Sequence, residues 1–444
     1  VVITSLDNYI VNTSMPVILR ELHDPAFYAW VTSAFILAQV IGLSLGGAWR
    51  DRIGLRLPFV TSVIVFGLGS LASGFAPNMA LLVAARGVQG FGGGGLSAVS
   101  FAAAAGYPEA LRIRMFSLNS TVWGVVSLVG PLAGGLITDH IGWRWIFLLN
   151  VPVCVVVMLI GLRGYPSTPS ESGSRKLPVV RAALLAVAAA SLVAAPSAAL
   201  KYAIPLLIVG LLTAWLYARQ ERLADVHVIP LSTWLRRDAV GSCMQATLFF
   251  TGAYMGASVF LPLYLQGVRG LTATQASVAV TVTGVSWTLA ALAAAQATGP
   301  WPKRTVRGGA LLVVLGGVCV AFQAVAGHSP IPLIIFTWAL AACGIGMAMI
   351  HLMNWAIVFA PGNQTGAISG AVQTCRMLGS ASGGALMGAL LLAIGPDAQH
   401  LPRAIASIFL LVAILALWPA TFGMPRDVDR AAAAASPVPV EAGV

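Results

Sequence analysis

Charge is what this sequence has least of: 9% of its 444 residues are charged, against 58% that are hydrophobic. A soluble domain carries roughly 25% charged residues, so a soluble globular fold is excluded. Carboxylates are the scarcer sign, 14 against 25 basic residues. The lysines are Lys176, Lys201 and Lys303, and none follows a glycine-rich turn. That excludes a phosphate-binding P-loop and disfavours transport driven by ATP on this chain alone. Cys154, Cys243, Cys319, Cys343 and Cys375 are scattered through apolar runs without ligand or disulfide spacing, and read as small packing residues. No grouping of His, Cys, Asp or Glu has metal-ligand spacing, and neither a metal nor a cofactor is expected. The alternating pattern of a β-barrel is missing too. The chain opens on Val1-Val2 inside an apolar run, without Met or a basic n-region, so its true N-terminus is expected upstream, and nothing reads as a cleaved signal peptide.

What is present is a succession of apolar runs, each long enough to cross roughly 30 Å of hydrocarbon as a helix. They cover 1–19, 29–48, 58–76, 79–105, 118–138, 145–162, 179–196, 202–218, 239–266, 274–298, 308–327, 331–358, 365–395 and 402–423. The fold class is therefore an all-α integral membrane protein with about fourteen transmembrane helices. The seventh and eighth runs are the weakest, and about twelve spans is the alternative. With the first helix running inside to outside, Arg20, Arg144, Lys201, Arg269 and Arg403 fall on the far side and Arg86 and Arg376 within spans. The remainder of the 25 basic residues fall on the cytoplasmic side. This positive-inside bias explains the net charge of +11 by topology and makes a nucleic-acid partner unexpected. Both termini are expected in the cytoplasm, in a multi-pass protein of the inner (cytoplasmic) membrane. Polar stretches from Arg163 to Pro178 and from Arg219 to Asp238 read as linkers flanking two inserted helices. The expected organisation is a six-helix bundle over 1–163, linkers and two inserted helices over 164–238, a second six-helix bundle over 239–424, and a disordered cytoplasmic tail over 425–444.

Three stretches carry mechanical signals. Gly47-Ala48-Trp49-Arg50-Asp51-Arg52-Ile53-Gly54-Leu55-Arg56 follows the second span. Gly47 and Gly54 suit close turns there, and Asp51 can cap the N-terminus of a neighbouring helix. A positive-inside loop with an incidental Asp is the plainer reading. On the fourth span, Arg86, Gly90 and Gly94 share a face, so a cation is followed by a groove that admits another backbone. On the fifth, Gly130 and Gly134 give a small-residue face, Gly135 follows, and Pro131 invites a kink. Either a hinge or an ordinary packing helix fits that pattern.

In order, these stretches resemble the major facilitator superfamily, and within it the fourteen-span drug:proton antiporter group. Leu6-Asp7-x-x-Ile10-Val11-Asn12 with Met15-Pro16 is similar to that group's first-helix signature, and Gly47 to Arg56 to the superfamily's loop motif. Arg86 to Gly92 is similar to the fourth-helix motif, and Gly130-Pro131-x-x-Gly134-Gly135 to the antiporter motif. Trp143 to Pro152, Phe260 to Gln266 and Gln373 to Gly379 resemble the sixth, ninth and thirteenth helices of the group. Trp49, Arg50 and Leu55 depart from the loop motif, and the matching second-half loop, Gly299 to Arg304, lacks a carboxylate. The resemblance implies a fold of two six-helix bundles that rock about a midplane cavity. It implies a proton-coupled antiporter that exports a hydrophobic or amphipathic small molecule, a drug, antibiotic or secondary metabolite, and that works as a monomer in the lipid bilayer.

Four ionisable residues lie at membrane depth, Asp7, Arg86, Arg376 and His351, and Asp7 is expected to be the only acid among them. Desolvation and a neighbouring arginine push a carboxyl in opposite directions, so an Asp that alternates between the two can load and release a proton. Asp7 and Arg86 are thus the proton-coupling candidates, with a permanently paired structural Asp as the alternative. Arg376 reads either as a cavity cation for a substrate anion or as a partner of a helix C-terminus. His351 reads more readily as a packing residue than as a relay. Asn8, Asn12 and Gln266 complete the candidate cavity. One acid against two arginines favours a neutral or anionic amphipathic substrate. The alternatives are an uptake symporter or uniporter and a non-transporting sensor. An embedded acyltransferase or protease needs clustered polar chemistry at depth, and Asp7 and His351 do not supply it.

Overall fold

The computed structural model describes residues 2–105, 109–165, 179–195, 200–223, 239–297, 301–359, 365–397 and 399–421. Among these the regular structure is helical, with no strand. The helices are α1 (Val2–Leu22), α2 (Tyr28–Ile53), α3 (Arg56–Gly74), α4 (Met79–Ala105), α5 (Glu109–His140), α6 (Arg144–Gly164), α7 (Val179–Ala194), α8 (Leu200–Arg222), α9 (Ala239–Val268), α10 (Ala273–Ala295), α11 (Trp301–Ala326), α12 (Ile331–Val358), α13 (Thr365–Ile394) and α14 (Leu401–Thr421). Helix α6 is interrupted at Leu149, and α9 ends in a π turn over Tyr264–Val268. Hydropathy marks the bilayer rather than the helix end, so several helices outrun their apolar cores. Helix α5 starts at Glu109, and α11 takes in Lys303, Arg304 and Arg307.

Among the described residues, 9 helices are long and apolar enough to cross a membrane, and shorter apolar helices run over Val125–His140, Ala183–Leu192 and Leu401–Leu417. Helices α1 and α4 are in neither set. Asp7, Asn8 and Asn12 in one, and Arg86, Gln89 and a glycine run in the other, lower their hydropathy. The polarity that weakens them as spans is the polarity of the site described below.

Packing follows one scheme twice. Helix α1 packs on α5, α2 on α4, and α3 on α4 and α6; likewise α9 packs on α13, α10 on α12, and α11 on α12 and α14. The two sets meet along two seams, α2 with α13 and α5 with α10. Lipid tails give apolar helices no hydrophobic reason to associate, so close backbone approach has to do it. A Cβ at Gly90 would collide with the Phe35 carbonyl and one at Gly94 with the Gln39 carbonyl, which is how α4 lies against α2. A buried cluster joins the sets, with Val11 and Met15 of α1, Tyr28 of α2, Phe250 and Phe260 of α9, and Trp338 of α12.

Helices α7 and α8 pack on each other, and α7 also touches α2 and α13. Leu207, Ile208, Leu211, Leu212 and Trp215 of α8 are exposed, the outer face of a helix turned to lipid. Arg219 and Arg222, expected in a linker, continue α8. The remainder of the expected linkers, 166–178 and 224–238, and the tail 425–444 lie outside the described residues, as do Gly299 and Pro300.

Candidate functional site

Helix α1 turns Asp7 away from lipid and into the first set of six helices, where it is 2% exposed. Its Oδ2 takes a charge-assisted hydrogen bond from Arg86 Nη1 of α4. Its Oδ1 accepts from Gln89 Nε2 at 2.9 Å and from Asn150 Nδ2 at 3.0 Å. Both amides also donate to Ser70 Oγ at 3.1 Å, and that hydroxyl donates to the Phe147 carbonyl at 2.9 Å. Gln89 follows Arg86 by three residues, so the two share a helix face, and Gln89 Oε1 accepts from Arg86 Nη1 at 2.7 Å. The guanidinium lies 4.1 Å from the Phe35 ring centroid, and Arg86 is fully buried. Removing two charges from water costs several kcal/mol per ion unless geometry and extra hydrogen bonds offset it. Here the carboxylate has three donors from α4 and α6. Arg86 Nη2 is buried without a hydrogen-bond partner among the described residues.

The same place in the other half is uncharged. Trp338 stands as far into α12 from Ile331 as Arg86 stands into α4 from Met79. It stacks on Tyr254 of α9 with ring centroids 4.9 Å apart and planes 9° apart. At that position of the second set an aromatic stack stands where the first set has the arginine of its ion pair.

The glycines of α5 serve two neighbours. A Cβ at Gly130 would lie 3.1 Å from Tyr9 Cβ, and one at Gly134 would lie 2.9 Å from Ile10 Cα, so both face α1. A Cβ at Gly135 would lie 2.7 Å from Thr274 Cα, which is the α10 side. Helix α5 continues through Pro131 without interruption.

The other candidates spread out. Asn8 Nδ2 donates to the Thr4 carbonyl at 2.9 Å, and Asn12 Oδ1 accepts from Thr32 Oγ1 at 3.2 Å. Gln266, expected to line a cavity, is buried at the α1–α9 junction and donates to the Thr13 carbonyl at 2.9 Å. Arg376 is partly exposed on α13 and interacts electrostatically with Tyr9 of α1. His351 lies in the other half, stacked 5.9 Å from Trp355. Its Nε2 is buried with no partner among the described residues, and it makes no hydrogen bond to Asp7 or Arg86.

One expectation needs correction. Gly47 makes no turn, because α2 continues helically to Ile53; the reversal falls at Gly54, whose φ of 81° favours glycine, and Arg56 opens α3. The side chains of Asp51 and Arg52 lie outside the described residues. Beyond the expected eighth span, Glu221 near the end of α8 is buried as well and pairs with Arg181 of α7 at 3.1 Å.

Gln89, Asn150 and Ser70 were not singled out. An amide inside an apolar run is the available signal, weaker than a charge because it costs less to bury. Outside the helices, the His400 backbone amide and imidazole hold the Asp397 carboxyl below the usual range.

Among the described residues, several hydrogen bonds join the two sets of helices toward the end where α1, α5 and α9 finish. Tyr28 Oη donates to the Val259 carbonyl at 3.0 Å and Ser33 Oγ to the Ala381 carbonyl at 3.1 Å, besides the Gln266 bond. Asp139, at the end of α5, accepts from the first turn of α10.

Known proteins agree with this architecture. The profile of the family described as Major Facilitator Superfamily matches residues 1–384. The "Uncharacterized transporter YebQ" of Escherichia coli (strain K12) is 29% identical over 419 residues, covering 92% of this chain and 90% of that protein. "Multidrug resistance protein Stp" of Mycobacterium tuberculosis (strain ATCC 25618 / H37Rv) is 28% identical over 427 residues, covering 90% of this chain and 76% of that one. Among solved structures, the partially occluded inward open xylose transporter XylE of E. coli superposes with a TM-score of 0.61 at 13% identity, covering 94% of each chain. That last likeness is one of fold.

Proposed function

The chain belongs to the major facilitator superfamily, and from that premise we propose that it is a proton-coupled antiporter exporting a hydrophobic or amphipathic small molecule by alternating access. Family membership makes it a multi-pass membrane transporter of small molecules rather than an enzyme. The multidrug-resistance relatives support export of drugs or antibiotics, and so support a place in the drug:proton group with about fourteen spans. We read 1–163 and 239–424 as the rocking bundles, 164–238 as the inserted pair with its linkers, and both termini as cytoplasmic in the inner membrane. The protein works as a monomer in this reading.

One observation carries the proton: Asp7 is a buried carboxylate whose partners come from α4 and α6. All of these partners lie in the same bundle as Asp7, so the coupling step is a shift of α1 against α4 and α6 within that bundle, which exchanges the ion pair for a protonated carboxyl and back. Gly130 and Gly134 seat α5 on α1 beside this centre, and Gly135 seats it on the other bundle, so α5 can relay the motion. Gly47, Asp51, Arg52, Gly54 and Arg56 are the proposed gate at the opposite end. Arg376 is the proposed contact for an anionic substrate group, with Tyr9 as its neighbour on α1, and Asn8 and Asn12 of the same helix are proposed to line the cavity. The joining contacts gathered where α1 ends support a state closed at that end.

The test is efflux from proteoliposomes under an imposed pH gradient, read with a fluorescent anionic amphipathic dye. Wild type should accumulate or expel the dye according to the gradient. Absence of proton-linked flux ends the antiporter reading, and Asp7-dependent transport of a dication ends the assignment of an anionic substrate.

A further inference from the structure

We propose that Asp139 is a gate residue: its carboxylate latches the end of α5 to the first turn of α10, across the seam between the two bundles, and must let go whenever that end opens. The inference rests on alternating access and not on which solute or ion is carried.

The geometry is a divided helix cap. A helix starts with four amide donors that have no partner within it. In α10 two are satisfied locally by a capping box: Thr272 N donates to Gln275 Oε1 at 3.1 Å and Gln275 N to Thr272 Oγ1 at 3.2 Å. The other two are satisfied by Asp139, with Ala273 N donating to Oδ1 at 3.2 Å and Thr274 N to Oδ2 at 2.8 Å. The Thr274 hydroxyl adds a third bond to Oδ2 at 2.6 Å. A carboxylate at a helix N-terminus is favoured by the helix dipole as well. Helix α10 therefore holds half of its own cap, and water can replace the other half because Asp139 is exposed and its two bonds with half-buried Thr274 lie at the surface. A contact that is specific when made and inexpensive to break suits a reversible latch better than a permanent brace.

Its position fits the same role. Gly135, one turn before Asp139, lies so close to α10 that a Cβ there would be 2.8 Å from Ser277 Oγ. Below it, a Cβ at Gly284 would be 3.1 Å from Ser127 Cβ, and Thr281 Oγ1 donates to the Leu128 carbonyl at 3.4 Å. The seam is close-packed inward from the latch. Among the described residues the matching seam shows no such device: Asp397, after α13, turns to its own loop and accepts from Gln399 N at 3.1 Å and His400 N at 2.9 Å.

Ser277 is fully buried under α5, so a cysteine there reports opening. The full chain, with its native cysteines replaced and Ser277→Cys added, is reconstituted and labelled with a membrane-impermeant maleimide from that side. Asp139→Ala should raise the labelling rate roughly three- to tenfold, the loss of one ordinary net hydrogen bond, and Asp139→Asn and Thr274→Val by less. A second reporter, Gln373→Cys nearer the opposite end, should label more slowly in the same variants, which general loosening would not produce. Unchanged labelling at position 277 in folded Asp139→Asn and Thr274→Val protein overturns the latch. So does faster labelling at both reporters. These two variants carry the test if Asp139→Ala does not fold. No substrate or pH gradient is used, so failure of the efflux experiment and failure of the latch are separate results.

Discussion

Asp7 is held by one cation and two amides, an arrangement in which removing a single partner does more harm than removing the pair. Truncating one member of a buried ion pair costs about 3 to 5 kcal/mol, because the survivor stays buried and uncompensated, whereas replacing both by apolar groups is often close to neutral. Arg86→Leu should therefore lower the unfolding midpoint in detergent well below that of Asp7→Leu/Arg86→Leu. Additive losses in the double variant would mean that the two residues do not act as a pair in the folded protein. The acid and the base were legible in the sequence because an ionised group in an apolar run is costly enough to need a reason. The amides were not. Gln89 and Asn150 stand in stretches that the sequence marks, yet only the fold shows that both converge on one carboxylate oxygen.

At the scale of elements, glycine placement separates packing from convenience. Nothing lies within 4 Å of a Cβ at Gly87, while a Cβ at Gly90 would meet the Phe35 carbonyl on α2. Gly87→Ala should be neutral or stabilising by up to about 1 kcal/mol, since alanine restricts the unfolded chain. Gly90→Ala should destabilise by about 1 to 3 kcal/mol, because α2 and α4 must separate to admit it. Equal midpoints for the two variants would contradict the close approach of those helices. Helix positions were readable from hydropathy: α4 and α12 occupy the ranges their apolar runs define. Helix ends were less readable. Helix α2 runs through Gly47 and Asp51, and α8 runs on to include Glu221, because polar residues extend a helix as readily as apolar ones once it leaves the hydrocarbon. The latch at Asp139 was invisible for a related reason: a carboxylate near a predicted span end is ordinary, and its partners are more than a hundred residues away.

For the whole molecule, two like-built halves carry unlike chemistry. One holds the Asp7–Arg86 ion pair; the other stacks Tyr254 on Trp338. A transporter built this way can let one half handle the proton and leave the shared interior to the solute. The central claim is that solute and proton exchange through Asp7. The most direct measurement is in vesicles loaded with the anionic amphipathic dye and a trapped pH indicator, with no pH gradient at the start. Downhill exit of dye through the wild type should acidify the lumen as protons enter in exchange, while Asp7→Asn should exchange dye for dye with no change in lumenal pH. Equal acidification by Asp7→Asn and wild type would contradict the account.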